Sequence, residues 1–473
     1  MNAASAEPQV TGGVWDALVV GAGMSGLVAA YRLQQAGLKV RVLDAGSEPG
    51  GVIGSVQREG CLFERGPNSA MDTTPLIGEL VQELGLAPQL RWASAASEKR
   101  YVVRGGKLIP LPMSPGAFFS TPLFSLGAKA GLMLEPFKAP SDPALEESIA
   151  AFVRRRLGHE FLDYAIDPFV SGIYAGNPEQ ISVKAAFPKL HALEQRWGSL
   201  IKGQFLGAAE RKRAKETAKN TAKSFSFEHG MQTLPNALAT AVGGVSYQTR
   251  ATALARDSQG VFTVQTERLG RAETCQARSV ILAVAADAAA ALVRSHAADA
   301  AAAMDAIEYA PVATVASAYN TADIAHPLDG FGCLLPGQEK RRVLGVLFSS
   351  SMFDGRAPQG VSLLTTFMGG RRSPELPAMA QDEIAALAHA EHGILLGARA
   401  APRWQVVTRW PRAIPQYVIG HLGRVARADA AELALPGLRL CGSWKGGVSV
   451  GDCLRNGHDV GVATAQWLKA QAA

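Results

Sequence analysis

The chain is short of cysteine, of paired metal ligands and of long apolar runs, and each shortage removes a class of function. Its 473 residues hold five cysteines, Cys61, Cys275, Cys333, Cys441 and Cys453. They form no C-x-x-C pair and no histidine-rich ligand set, so a disulfide scaffold, a metal centre and a dithiol redox motif do not fit. The thiols read as reduced and structural, which predicts a cytoplasmic setting. Met1–Val10 lacks the basic start and apolar core of a secretion signal. The longest nearly apolar stretch, Gly116–Phe137, is broken by Pro122, Lys129 and Glu135, and no span reaches the ~18–20 apolar residues of a membrane-crossing helix. Lys202–Lys223 carries seven bases against two acids. That run reads as a solvated helix face or loop, with contact to a membrane or polyanion as the alternative. No aromatic side chain is interleaved between Arg211 and Lys223, which argues against nucleic acid. Nor is there a Ser-His-Asp set or a carboxylate pair arranged for acid–base work, and His191, His229 and His421 are assigned no role.

What is present is an ordinary globular composition, 48% hydrophobic and 19% charged, long enough for two or three domains. Its organising stretch runs from Ala17 to Asp44. Ala17–Val20 is a short buried strand, Gly21, Gly23 and Gly26 stand in G-x-G-x-x-G spacing, and Leu27–Ala36 is helical up to Gly37. Lys39–Leu43 is a second strand ending at Asp44. The first glycine permits a tight turn, the second lets a pyrophosphate approach the backbone, and the third lets helix and strand pack closely. The phosphates then meet free amides at the positive end of the helix dipole. Asp44 follows Gly21 by 23 residues, where a carboxylate takes ribose hydroxyls and repels a 2′-phosphate. Strand, turn, helix, strand and acid in that order predict a dinucleotide site.

Downstream, Pro49-Gly50-Gly51 and Gly66-Pro67-Asn68 are glycine-bearing loops which alone read as turns. Thr74–Leu84 reads as an amphipathic helix, and Arg100–Arg104 with Lys107–Leu111 as a hairpin about Gly105-Gly106. Asp142-Pro143 is expected to open a helix over Ala144–Leu157, and a second helix spans about His159–Phe169. Val245–Tyr247, Ala251–Arg256 and Val261–Glu267 suggest a β-meander. Ser279–Ala283 reads as a separate buried strand and Ala285–Ala303 as one alanine-rich helical tract. Strands return at Thr314–Tyr319, Val343–Phe348, Val361–Phe367, Val406–Trp410 and Leu438–Cys441. Helices are expected near Gln381–Leu396 and at Asn456–Leu468, and no internal repeat is visible. The predicted fold is α/β. A discontinuous Rossmann-like dinucleotide-binding domain (1–88, 224–303, 418–473), FAD-binding by the resemblance given next, accompanies a mixed-sheet substrate domain (304–417) and an inserted helical, membrane-associating subdomain (89–223).

VVGAGMSGLVAAYRL and VLDAGSEPGG together resemble the FAD signature of the flavin amine oxidase superfamily. FERGPNSAMDTTPLIGELVQELGL, DPFVSGIYAGNPEQISVKAAFPKL, FEHGMQTLPNAL, RWPRAIPQYVIGH and GSWKGGVSVGDCLRNG resemble its oxygen-dependent protoporphyrinogen oxidase branch. The resemblance implies FAD contacts at Gly21, Ala22, Gly23, Met24, Ser25 and Gly26, at Asp44 and Ala45, and at Gly50, Gly51 and Val52. It also implies contacts at Gly66, Pro67 and Asn68, at Val245 through its backbone, at Trp410, and at Ser443, Val448, Ser449 and Val450. The superfamily's amine oxidases place an arginine after the double glycine, where this chain has Val52-Ile53, which weakens an amine-oxidase reading. No cysteine occupies a flavin-linking position, so FAD is expected to be non-covalent. For substrate, the resemblance implies Arg100 as partner of a propionate, Leu334, Leu347 and Phe367 as apolar walls, and Gly172 as a backbone contact to a pyrrole. Read by pattern alone, the three walls are strand core, Arg100 is a hairpin arginine and Gly172 a turn.

The implied chemistry is six-electron oxidation of protoporphyrinogen IX by dioxygen, with no catalytic side chain beyond the flavin. The rivals are coproporphyrinogen III as substrate, another amine oxidase or desaturase, and a non-catalytic binder of the Rab-escort type. A membrane surface and a second copy of the chain are candidate partners. The expected location is cytoplasmic, on the inner face of the membrane.

Overall fold

The structure, a computed structural model, describes residues 9–10, 13–207 and 222–472. Most of the basic run in Lys202–Lys223 lies outside the described residues. Two large sheets organise the chain. The first has eight strands, and its main path runs Val245–Ser246, Val40–Leu43, Trp15–Val20, Arg271–Leu282, Phe262–Arg268, Thr249–Arg256. Parallel pairing of Val20 with Leu43 and of Leu282 with Val20 puts the carboxyl ends of these strands together, beside the Gly21 turn. Helices Met24–Gln35, Thr233–Val242 and Val450–Ala472 bury Leu27, Leu238 and Leu454 against one face of this sheet. Ala286–Val293 and Ala298–Asp305 bury Ala289 and Met304 against the other.

Three local expectations change here. Arg271–Leu282 is one continuous strand, antiparallel to Phe262–Arg268 in its first half and parallel to Trp15–Val20 in its second. A local reading cannot see that its polar start and apolar end share a ladder. Val245–Ser246 leaves the meander and pairs parallel with Val40–Leu43. The alanine-rich tract divides into two helices, with Ala297 in a non-helical conformation before the second.

The second sheet has seven strands in the order Trp404–Pro415, Tyr309–Asn320, Val361–Gly369, Val343–Leu347, Gly332–Leu334, Arg100–Arg104, Lys107–Pro110. The hairpin at Arg100, grouped by sequence with 89–223, therefore pairs into this sheet. Helix Gln381–Leu396 covers one face, burying Ile384 and Leu395 against Val315, Val346 and Met368. On that face Tyr319 Oη bridges His389 Nδ1 (3.0 Å) and His392 Nδ1 (2.9 Å), and His392 Nε2 meets Thr366 Oγ1 at 2.6 Å. Burial, reinforced by His389, pushes His392 down to about 3. The unfolded chain takes up that proton below its ordinary value near 6.5 and the folded chain does not, so stability is lost as pH falls from about 6.5 toward 3. Thermal melts of wild type and His392→Gln across this window should show the wild type losing up to ~1.4 kcal/mol per pH unit more than the variant. Parallel pH profiles would refute the assignment.

A helical segment packs on the second sheet and shares a buried core with Val102 of strand Arg100–Arg104. Ser114, Ser125, Ser148 and Ser182 cap its helices through their hydroxyls. Ser148, not Asp142-Pro143, opens helix Ile149–Arg156, because Asp142 is spent on the Ala144 amide in a local turn. The second helix is interrupted, with a π-turn at Leu162–Ile166 before Asp167–Tyr174. Arg156, at the end of its basic triplet, is fully buried and paired with Glu135 and Glu194. Among the described residues no helix is long and apolar enough to cross a membrane.

Candidate functional site

The glycine cradle is built by crowding. Gly21 has φ +111, and a Cβ there would lie 2.4 Å from the Ala283 carbonyl oxygen. A Cβ on Gly26 would lie 2.0 Å from the Gly21 carbonyl oxygen, so helix and strand touch backbone to backbone. Gly23 is different: a Cβ there would meet nothing within 4 Å. That open space faces the start of helix Met24–Gln35, which no side chain caps. A pyrophosphate fits there, taking the unpaired first-turn amides at the positive end of the dipole. Ser25 is buried, its hydroxyl on the Cys453 carbonyl at 3.0 Å.

Asp44 closes the strand beside the cradle, its carboxylate accepting from the Ala22 amide (2.6 Å) and the Gly46 amide (2.6 Å), with Ala45 exposed next to it. The Val42 amide donates to Gly244 and the Asp44 amide to Ser246. Those bonds bracket Val245, so its own amide and carbonyl face outward from the sheet edge, as an adenine partner's must. The Gly50 amide donates to Ala22 at 2.8 Å, and Gly50 and Gly51 both have positive φ. Val52 is exposed; a Cβ on Gly66 would lie 2.0 Å from its carbonyl, so the Gly50–Val52 and Gly66–Asn68 loops press together. Pro67 is half-buried between Gly66 and Asn68, and the Asn68 amide group donates to the Gly66 carbonyl.

At the other end, Ser443, Val448, Ser449 and Val450 line the approach to the long terminal helix. Ser449 caps it by accepting from the Asp452 amide at 3.1 Å. A Cβ on Gly457 would lie 2.3 Å from the Ser25 carbonyl, which seats this helix directly on the glycine helix. Tyr417 Oη donates to the Ser443 carbonyl (2.7 Å) and accepts from the Gly447 amide (2.8 Å), while its ring stacks on His421 at 4.0 Å. His421 Nε2 meets the Trp444 carbonyl, and burial pushes the imidazole down to about 4. Neutral and packed, His421 is a brace for this loop. Sequence reasoning missed Tyr417 and the Asn456 amide that ties Cys441 and Gly442. It also missed the buried pair of Glu64 with Arg356. Only their place inside the quoted blocks pointed to the first two.

The seven-stranded sheet turns the face opposite helix Gln381–Leu396 toward these loops. Trp410 Nε1 donates to the Arg65 carbonyl at 2.8 Å, and Thr314 Oγ1 donates to the same oxygen at 3.3 Å. Strand register puts Arg100, Gly332, Leu347 and Thr365 in one row and Val102, Leu334, Gly345 and Phe367 in the next. Two residues separate the rows, so all eight share a face. Gly332 and Gly345 leave a shallow floor among Leu334, Leu347 and Phe367. Helix Asp167–Tyr174 lies over it, and a Cβ on Gly172 would lie 3.1 Å from Leu334 Cδ2. Arg100 is half-buried, with its guanidinium 5.1 Å over the Phe331 ring. Burial lowers its pKa, and no carboxylate of the described residues pairs with it. The five substrate candidates thus fall in one neighbourhood, and the cofactor candidates divide among the cradle, the paired loops and the terminal-helix entry. No cluster of potential metal ligands occurs among the described residues.

The family model for flavin containing amine oxidoreductases matches residues 24–461. Protoporphyrinogen oxidase 2, chloroplastic/mitochondrial, of Arabidopsis thaliana is 32% identical over 475 residues, covering 93% of this chain and 91% of the relative. Coproporphyrinogen III oxidase of Bacillus subtilis is 26% identical over 457 residues, covering 93% and 96%. A crystal structure from Exiguobacterium sp. 255-15 shares the fold at TM-score 0.80 and 23% identity, covering 96% of this chain and 100% of that one. A family match across most of the chain, and a cradle whose open space suits a pyrophosphate, place the molecule: it belongs to the flavin-containing amine oxidoreductases and uses FAD.

Proposed function

We propose that this oxidoreductase converts protoporphyrinogen IX to protoporphyrin IX, reducing three dioxygen molecules to three of hydrogen peroxide. The carrying observation is Arg100, half-buried without an ion-pair partner among the described residues, on one face with Leu334, Leu347 and Phe367. A guanidinium so placed suits a propionate, which it can hold through two parallel hydrogen bonds. The apolar walls and glycine floor suit a flat macrocycle and exclude water from its reacting edge. When bound, FAD supplies the two-electron oxidant for each of three rounds and the route of those electrons to dioxygen. The chain's part is orientation: Arg100 fixes one end of the ring, and Gly172 and Leu334 fix its tilt. A non-covalent FAD is favoured because burial pushes up the thiols of Cys333, Cys441 and Cys453, to about 12, 12 and 11, and that of Cys61, away from the thiolate a cysteinyl link needs.

The test is an anaerobic incubation with protoporphyrinogen IX or coproporphyrinogen III, followed by air, reading porphyrin fluorescence and peroxide. Faster turnover of protoporphyrinogen after air supports the reading. Preference for the four-propionate substrate would reassign it, and turnover of neither would remove it. FAD should appear in the supernatant after denaturation.

The reading includes a peripheral site on the inner face of the membrane. Phe119, Leu126 and Phe137 are 58%, 83% and 83% exposed on the helical segment, more apolar surface than solvent favours. Sedimentation with anionic liposomes should pull the protein down, and Leu126→Asp with Phe137→Asp should release it. Protein left wholly in the supernatant would refute membrane binding.

A further inference from the structure

Helix Asp167–Tyr174 carries Gly172 over Leu334, and both of its ends are irregular. A π-turn precedes it, and Ala175, with φ +46, ends it in the left-handed region that costs a side-chain-bearing residue. It is tied to the sheet by Gln416, whose Nε2 donates to the Tyr174 carbonyl (2.8 Å), and by the turn at 369–372. Arg372 Nη2 donates to Asp167 Oδ2 (3.0 Å) and Ser171 Oγ (2.9 Å), while Nη1 donates to the Leu335 carbonyl (2.7 Å). Asp167 Oδ2 also accepts from the Gly337 amide at 2.6 Å. One guanidinium therefore joins two residues a single turn apart on the helix to the backbone directly after Leu334. At the far end the Arg371 amide donates to the Ala175 carbonyl at 2.7 Å, and a Cβ on Gly370 would lie 2.5 Å from that same oxygen.

The geometry points to Arg372 and Asp167 as positioning residues that set the distance between Gly172 and Leu334, and with it which tetrapyrrole side chains the chamber accepts. This rests on the proposed porphyrinogen reading. Neither residue lies in the row of Arg100, so neither replaces a substrate contact. Their effect runs through the helix. A planar fork making three bonds at once fixes both separation and angle, which a lysine's single ammonium cannot.

The test compares holoenzyme with Arg372→Met, Arg372→Lys and Asp167→Asn, each checked for full flavin content. In Arg372→Met, KM for protoporphyrinogen IX and the Kd for protoporphyrin IX, read by fluorescence quenching, should rise about tenfold with kcat changed less than threefold, as expected for a displaced positioning element. The preference for protoporphyrinogen over coproporphyrinogen should narrow, amide exchange over residues 167–175 should quicken, and Arg372→Lys should recover only part of each. Asp167→Asn, which keeps the bond to Gly337, should fall between and serves if Arg372→Met does not fold. Unchanged KM, Kd and preference in flavin-replete variants would overturn the inference while leaving the substrate reading intact. A wild type that oxidises neither porphyrinogen would overturn that reading itself.

Discussion

Arg100→Ala should raise KM for the porphyrinogen about 10- to 100-fold, the loss of a charge-assisted hydrogen bond worth about 1.5–3 kcal/mol, while the visible flavin spectrum stays that of wild type. The reasoning is positional. Arg100 stands at the start of its strand, opposite Gly332 and one row from Phe367, and its carbonyl accepts from Leu111, so the backbone survives truncation. The side chain stacks on Phe331 and carries no ion pair among the described residues, so its removal orphans no buried carboxylate. What is lost is the counter-charge for the substrate, and kcat should suffer less than KM. Arg100→Lys keeps the charge without the fork and should recover part of the affinity. Steady-state kinetics on matched flavin-loaded samples decides it, and an unmoved KM would remove Arg100 from the site.

Gly26→Val should yield protein largely without flavin. Its Cβ would sit 2.0 Å from the Gly21 carbonyl oxygen and 3.0 Å from the Ala283 side chain, both fixed parts of the strand ends. Helix and strand must then separate, at a cost of about 3 kcal/mol of overpacking or more, and the first-turn amides leave their aim at the phosphates. A displacement of that kind is worth at least about a hundredfold in FAD affinity. Gly23→Ala is the informative contrast, because a Cβ there meets nothing within 4 Å among the described residues. It should fold normally and lose FAD affinity only through collision with the cofactor. Flavin absorbance per protein and thermal melting separate the two effects. A Gly26→Val protein that keeps its yellow colour would contradict the cradle.

Composition, glycine spacing and motif resemblance carried much of this. The strand-turn-helix at Gly21, the acid at Asp44 and helix Gln381–Leu396 are local patterns, legible because periodicity and glycine placement act over a few residues. Other features were out of reach because they depend on partners distant in the chain. Nothing local tells that Arg156 is buried between Glu135 and Glu194, or that Val245 leaves its meander for the strand ending at Asp44. Arg100, Leu334, Leu347 and Phe367 each read alone as hairpin or strand core. Only pairing across separate strands shows them on one face, with Gly332 and Gly345 as the floor between. By itself, then, the sequence determined the strand, glycine turn and helix of the nucleotide cradle, whose spacing acts over a few residues, while the crowding of Gly21 by Ala283 came from a strand far along the chain. The tertiary structure decided the apolar face proposed for the substrate and the clasp over it, since strand register and helix docking are set by burial between segments hundreds of residues apart.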